Sequence, residues 1–316
     1  MNAQARYLRE RLGHARLAQV HLEPVRREPP SPDLASGATG EFHPLRPLLE
    51  RLEAELERGV VLLPPWSSGT ERVRRALLER PDDEDLLTDL VADEAGLAVR
   101  LLAFSNASPF ARGGRELAEL RPALRRIGHM NLLAIVHAHA LAQLRHSPRL
   151  SAQRAALSSH WHAACEVAAL ARRIAWRCDA DADLAFLCGL LHNGGRSYLT
   201  VRCAALGLEP LLEAAAPALL WRWQARLGAA LVRAWELPAE VGRTLARQAH
   251  LGGAEVDQGG ALLAAATLAH AGDAPAPARA TLLAEEAGFR LDAGQWRDMM
   301  TRASTEAACL RVLLGD

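Results

Sequence analysis

Residues Ala185–Leu199 read AFLCGLLHNGGRSYL. The periodicity predicts an apolar helix from Leu184 to His192 that carries His192 into its last turn. Asn193 follows, and the pair Gly194-Gly195 reads as a C-terminal stop. An imidazole and a side-chain amide are thereby brought together at a helix end beside a tight turn. With Asp in place of Asn193, the pair would be a good ligand set for a divalent cation. The neutral amide is a much poorer ligand. The missing formal charge weakens both a metal site and the acidity of any water bound there.

Working outward from this segment, the chain predicts helices almost throughout. Leu, Ala, Arg and Glu dominate its 316 residues, Ile occurs three times, and the favoured residues are good helix formers. Period-2 alternation is scarce, so the fold class is all-α. Upstream, a helix from Ser151 to Arg177 carries the stripe Trp161, Cys165, Ala168, Arg172 and Ala175. Its small residues let neighbouring helices approach closely. Another runs from Arg121 to Arg145 and stops at Ser147-Pro148. Earlier helices fall near 44–58, 70–80, 84–92 and 94–105, with Asp93 placed to cap the last of these and Pro64-Pro65 breaking the chain. Downstream, helices are expected near 197–206, 208–215, 218–235, 238–250, 258–271, 278–286 and 292–314. Residues 1–40 form an opening segment that ends in the linker PPSPDLASGATG. Residues 41–150 make an N-terminal helical bundle, 151–272 a second helical half, and 273–316 a C-terminal helical extension.

Composition excludes several functions. Basic and acidic residues both number 37, every basic one is Arg, and the net charge is zero. That balance argues against nucleic acid as a partner and against a basic membrane-surface helix. The N-terminus lacks the apolar stretch of a signal peptide, and no long uncharged apolar run occurs, so a soluble cytoplasmic protein is expected. The five cysteines are odd in number and form no CxxC, which speaks for free thiols in a reducing compartment. His137 and His139 lie in an apolar helix and read as core. Trp161 reads as a plug between helices, flanked by His160 and His162. Of Trp221 and Trp223, one is expected in the core. No GxxxxGK[ST], GxGxxG or GxSxG occurs.

Taken together, the motifs resemble those of HDOD domains, regulatory relatives of the HD metal-dependent phosphohydrolases. GLLHNGG is similar to the family's GLLHDIG segment. Leu63-Pro64-Pro65, Asp93–Phe110, Leu117–Gly128, Trp161 with Val167-Ala168, and Trp235–Pro238 resemble its other stretches in order, over about residues 58–270. The resemblance implies a two-part helical bundle whose second half is a degenerate HD-type half. It places the enzymes' first His ligand at Ala163, one residue from His162. The His-Asp pair falls on His192-Asn193, a later His pair on Ala249-His250, and the last Asp on Ala269-His270. Both carboxylates and one His are missing from that set. No metal or other cofactor is therefore expected. The implied function is a non-catalytic bacterial regulatory module that binds other signalling proteins. The alternatives are a metal-dependent HD-type phosphohydrolase acting on a nucleotide, or a sensor of a nucleotide second messenger. The sensor's pocket would comprise Trp161, His162, His192, Asn193 and His250.

Overall fold

The computed structural model describes residues 44–63, 66–107, 111, 114–247 and 292–314, with isolated positions at 263, 266, 267, 285 and 290. Among the described residues every regular element is a helix: α1 Arg46–Glu57, α2 Ser68–Glu79, α3 Glu84–Ala92, α4 Ala95–Asn106, α5 Leu120–Ile127, α6 His129–His146, α7 Arg154–Arg177, α8 Ala182–Leu191, α9 Gly194–Leu206, α10 Glu209–Glu213, α11 Pro217–Ala234, α12 Ala239–Arg247 and α13 Ala293–Leu314. A 3₁₀ turn at Pro148–Gln153 joins α6 to α7. The expected linker, Pro64-Pro65, Gly252-Gly253, and the helices near 258–271 and 278–286 lie in or reach into the residues outside this description.

Several helices start where side chains supply the acceptors that free N–H groups need. Ser67 accepts from the Thr70 N–H at the start of α2, Asp83 from Leu86 at the start of α3, and Asp181 from Asp183 and Leu184 at the start of α8. Asp93 does not cap the helix that follows it. It closes α3, and its carboxylate pairs with Arg72, while Glu94 takes the capping position without a side-chain capping bond. The helix expected over 121–145 is two helices. Gly128 has φ 77°, a left-handed conformation that turns the chain between α5 and α6.

α7 and α8 form the most intimate helix pair. A Cβ on Gly189 of α8 would come within 2.4 Å of the Ala168 Cα, so only glycine permits that approach. The expected stripe on α7 is buried along its whole length. α6 packs against α8, and most of its residues are buried, including His137 and His139. One hydrophobic cluster runs from Leu45, just before α1, to Leu310 in α13. α1 packs on α11, where the Arg226 Nε donates to Glu53 at 2.9 Å. The Trp66, His137 and Trp235 rings meet edge-on or tilted with centroids 5.1–5.6 Å apart, and Arg74 donates to the Trp235 carbonyl at 2.8 Å. The C-terminal helix α13 lies along α7 and also touches α4 and α6. Among the described residues no helix is long and apolar enough to cross a membrane.

Candidate functional site

The segment that carries His192 is built by burial. Phe186–Leu191 is buried throughout, which drives α8 into the core and fixes the depth of whatever follows it. The turn that follows is not the expected glycine stop. α8 ends at Leu191, His192 keeps right-handed helical angles, and Gly194-Gly195 open α9. Gly195 serves close packing. Its Cβ would meet the Gln224 carbonyl oxygen at 2.2 Å and the Gly228 nitrogen at 2.5 Å, so glycine alone lets α9 lie on α11.

His192 is 3% exposed. Its Nδ1 donates to the Gly189 carbonyl at 2.7 Å, which turns the ring back onto its own helix. Its carbonyl accepts from Gln224 Nε2 at 3.2 Å. Asn193 is also buried, and its Nδ2 donates to the main-chain carbonyl of His160 at 2.7 Å. At that distance from a carbonyl oxygen, only the amide nitrogen side is electrostatically tolerable. Ser197 Oγ lies 3.3 Å from His160 Nδ1. Burial, and then the positive charge of Arg196, push the His160 pKa down to about 4, so its imidazole is neutral near pH 7.

Trp161 is buried, with the Arg145 guanidinium over its ring at 5.0 Å. It lines a small cavity with Leu144, Leu157, Leu190, Asn193 and Ser197. The cavity volume is about 20 Å³, room for one water molecule. Pockets for small-molecule ligands run to roughly 300–1,000 Å³. The helix faces around His192 are thus packed against one another.

The structure brings Trp161 and Asn193 to this cavity and buries His192 beside it. His162 is exposed on α7, and Ala163 is partly exposed with no donor atom to offer. His250 and His270 lie outside the described residues. The residue that sequence spacing missed is His160. Counting back from Val167-Ala168 points to Ala163. The histidine that meets Asn193 and Ser197 stands three residues earlier, almost one turn away on the same helix. Trp223, not Trp221, is the tryptophan of that pair buried in the core, and Arg226 lies over its ring at 4.2 Å. Cys165, Cys188 and Cys203 are buried, whereas Cys309 is exposed.

The family model of the HDOD domain matches residues 63–251. The chain belongs to the HDOD domain family. Among solved structures it is similar to a protein of Shewanella amazonensis SB2B provisionally named a metal-dependent phosphohydrolase. The two share 19% identity with a TM-score of 0.63 over 83% of this chain and 98% of that one. It is also similar to a Marinobacter aquaeolei VT8 protein provisionally named a signal transduction protein, at 16% identity and a TM-score of 0.58. That match covers 86% of this chain and 67% of the other. At these identities the likeness shows the fold. No curated protein matches the chain.

The fold relationship raises the question of whether this HDOD chain could hold a metal in the HD manner. The residues described here do not fit one. At the position where the resemblance puts the Asp, Asn193 has its amide nitrogen spent on the His160 carbonyl, and its neutral oxygen is a weaker ligand than a carboxylate. Ala163 offers nothing, and His162 points to solvent from the neighbouring position. Among the described residues no three of His, Cys, Asp and Glu converge in a way that could hold a metal ion.

Proposed function

We propose that this HDOD protein is a non-catalytic regulatory module of bacterial signal transduction, working in the cytoplasm by binding other signalling proteins. The observation that carries the reading is the hydrogen bond from Asn193 to the His160 carbonyl. It converts the family's metal-ligand position into a tie between α7 and the α8–α9 turn. The site has become part of the scaffold. The cavity of about 20 Å³ supports the same reading against a nucleotide sensor, which needs a pocket more than tenfold larger. A neutral overall charge suits recognition of proteins better than of nucleic acid.

The test is affinity capture of the tagged full chain from the cells that express it, with quantitative identification of what co-purifies. One or a few proteins retained at near-stoichiometric amounts are the expected result. Recovery of the chain alone from both dilute and crosslinked lysates would contradict a role in protein binding.

A further inference from the structure

Between the C-terminal end of α7 and the start of α13 lies an open groove of about 370 Å³. Trp176 stands in it, 49% exposed, beside Arg173, Arg177, Asp298, Met299 and Arg302. Trp and Arg are the residue types most enriched at binding hot spots, and an indole this exposed has a large apolar face left to cover. Its other face is supported from beneath. The Arg172 guanidinium sits 4.5 Å from the ring centroid and is itself buried. The ring is therefore held in place before any partner arrives.

Charge in the groove is unbalanced. Glu306 is shared by Arg172, at 3.4 Å, and Arg173, at 2.8 Å. Asp298 is held by Arg302 at 2.9 Å. Asp292 is used at the start of α13, where it accepts from the Gly294 and Gln295 N–H groups. Arg177 is exposed and enters no ion pair among the described residues. Three carboxylates thus stand against four guanidinium groups around one exposed tryptophan, and Arg177 is the one left over.

We infer that this groove docks an acidic, amphipathic segment of a partner protein, with carboxylates against Arg177 and Arg173 and an apolar side chain on Trp176. The inference rests on the proposal that the chain acts by binding proteins, and it assigns the surface and the chemistry of what binds. Arginine at the rim gives bidentate pairing to carboxylates, and the indole rewards an apolar neighbour beside them.

The test is fluorescence anisotropy of the full-length protein with a labelled amphipathic peptide that presents Glu on one face and Leu on the other. Binding is expected at low ionic strength and weakens as salt is added. Arg177→Glu and Trp176→Ala each weaken it at least about tenfold. Arg222→Glu, on the exposed face of α11, leaves it unchanged. Both groove substitutions are on exposed side chains, and an unchanged melting curve verifies that each variant folds. The proposal is overturned if a matched peptide with Gln for Glu binds as well, or if Arg177→Glu binds like the parent. It is equally overturned if Arg177→Glu abolishes only self-association seen by sedimentation, which would make a second copy the occupant. Capture of a partner that both groove variants still retain would remove this surface and leave the regulatory reading standing.

Discussion

The side-chain amide of Asn193 donates a 2.7 Å hydrogen bond to the main-chain carbonyl of His160, across 33 residues of sequence. This bond explains why an amide stands where the HD enzymes' motif has a carboxylate. An ionised Asp would place negative charge against a carbonyl oxygen in a buried setting. Asn193→Asp is therefore expected to destabilise the protein by about 1–3 kcal/mol at pH 7, the cost of an unsatisfied buried polar group. Because a protonated Asp can donate again, the deficit relative to the parent shrinks as the pH falls. Urea unfolding of both proteins at pH 7 and pH 5 measures it. Equal midpoints at pH 7 would show that the bond contributes nothing.

The two glycines after Asn193 are expected to respond differently to the same change. Gly195→Ala forces a methyl group into the backbone of α11, so the helices must separate, at a cost of about 1–3 kcal/mol or more. Gly194→Ala meets only the Leu231 Cδ2 at 3.8 Å, an ordinary contact, and gains helix propensity. Thermal melts should show Gly195→Ala well below the parent and Gly194→Ala equal to it or above. Similar losses at both positions would refute the close-approach role of Gly195.

Much of this site was legible in the sequence, and the parts that were not share a physical cause. The all-helical fold follows from composition, and the buried stripe on α7 from the spacing of Trp161, Cys165, Ala168, Arg172 and Ala175. Glycines are harder to read. Gly128 lies within one continuous helical pattern yet breaks it, because a positive φ leaves no mark on hydrophobic periodicity. Gly194 and Gly195 carry the signature of a helix stop, but one of them is set by a helix packed against it, 29 or more residues away. His160 reads only as a neighbour of Trp161, because counting back from Val167-Ala168 stops at Ala163, almost one helical turn short of the histidine that meets Asn193. The joining of α13 to α7 through Arg172 and Glu306, 134 residues apart, is invisible to any local pattern.

That joining is itself testable. Arg172 and Glu306 are each 1% exposed at the side chain, and Arg173 reaches the same carboxylate. Removing one partner from a buried pair leaves uncompensated charge, at a cost of about 3–5 kcal/mol. Glu306→Ala should lower stability by that order and expose the C-terminal helix to limited proteolysis first. Unchanged protease resistance would show that apolar contacts alone hold α13.

Stability should also fall on mild acidification. Burial above all holds His137, His139 and His160 at pKa values of about 4, against an ordinary value of 6.5, with arginine charge adding to it and, at His137, the Leu133 carbonyl opposing it. The unfolded chain therefore binds protons that the folded one refuses. Each of these histidines removes stability as the pH drops from 6.5 towards 4, by up to about 1.4 kcal/mol per pH unit. Burial raises the Glu306 pKa above its ordinary 4.5, which acts with the opposite sign at pH values above 4.5. Glu306 is common to the parent and to His139→Gln, so comparing the two between pH 6.5 and 5 isolates the histidine. In that window, urea midpoints should fall with acidification, and less steeply in His139→Gln. An identical slope in the two proteins would contradict the assignment.

If the HD enzymes' ligand position has become structural in this chain, the protein hydrolyses no phosphoester. Hydrolysis assays of the purified full-length protein on a panel of nucleotides and a generic phosphodiester, with Mn²⁺, Mg²⁺, Zn²⁺ or Fe²⁺ supplied, test it most directly. The expected result is turnover at the background rate with every metal. Metal-dependent turnover that His192→Ala abolishes would contradict the claim.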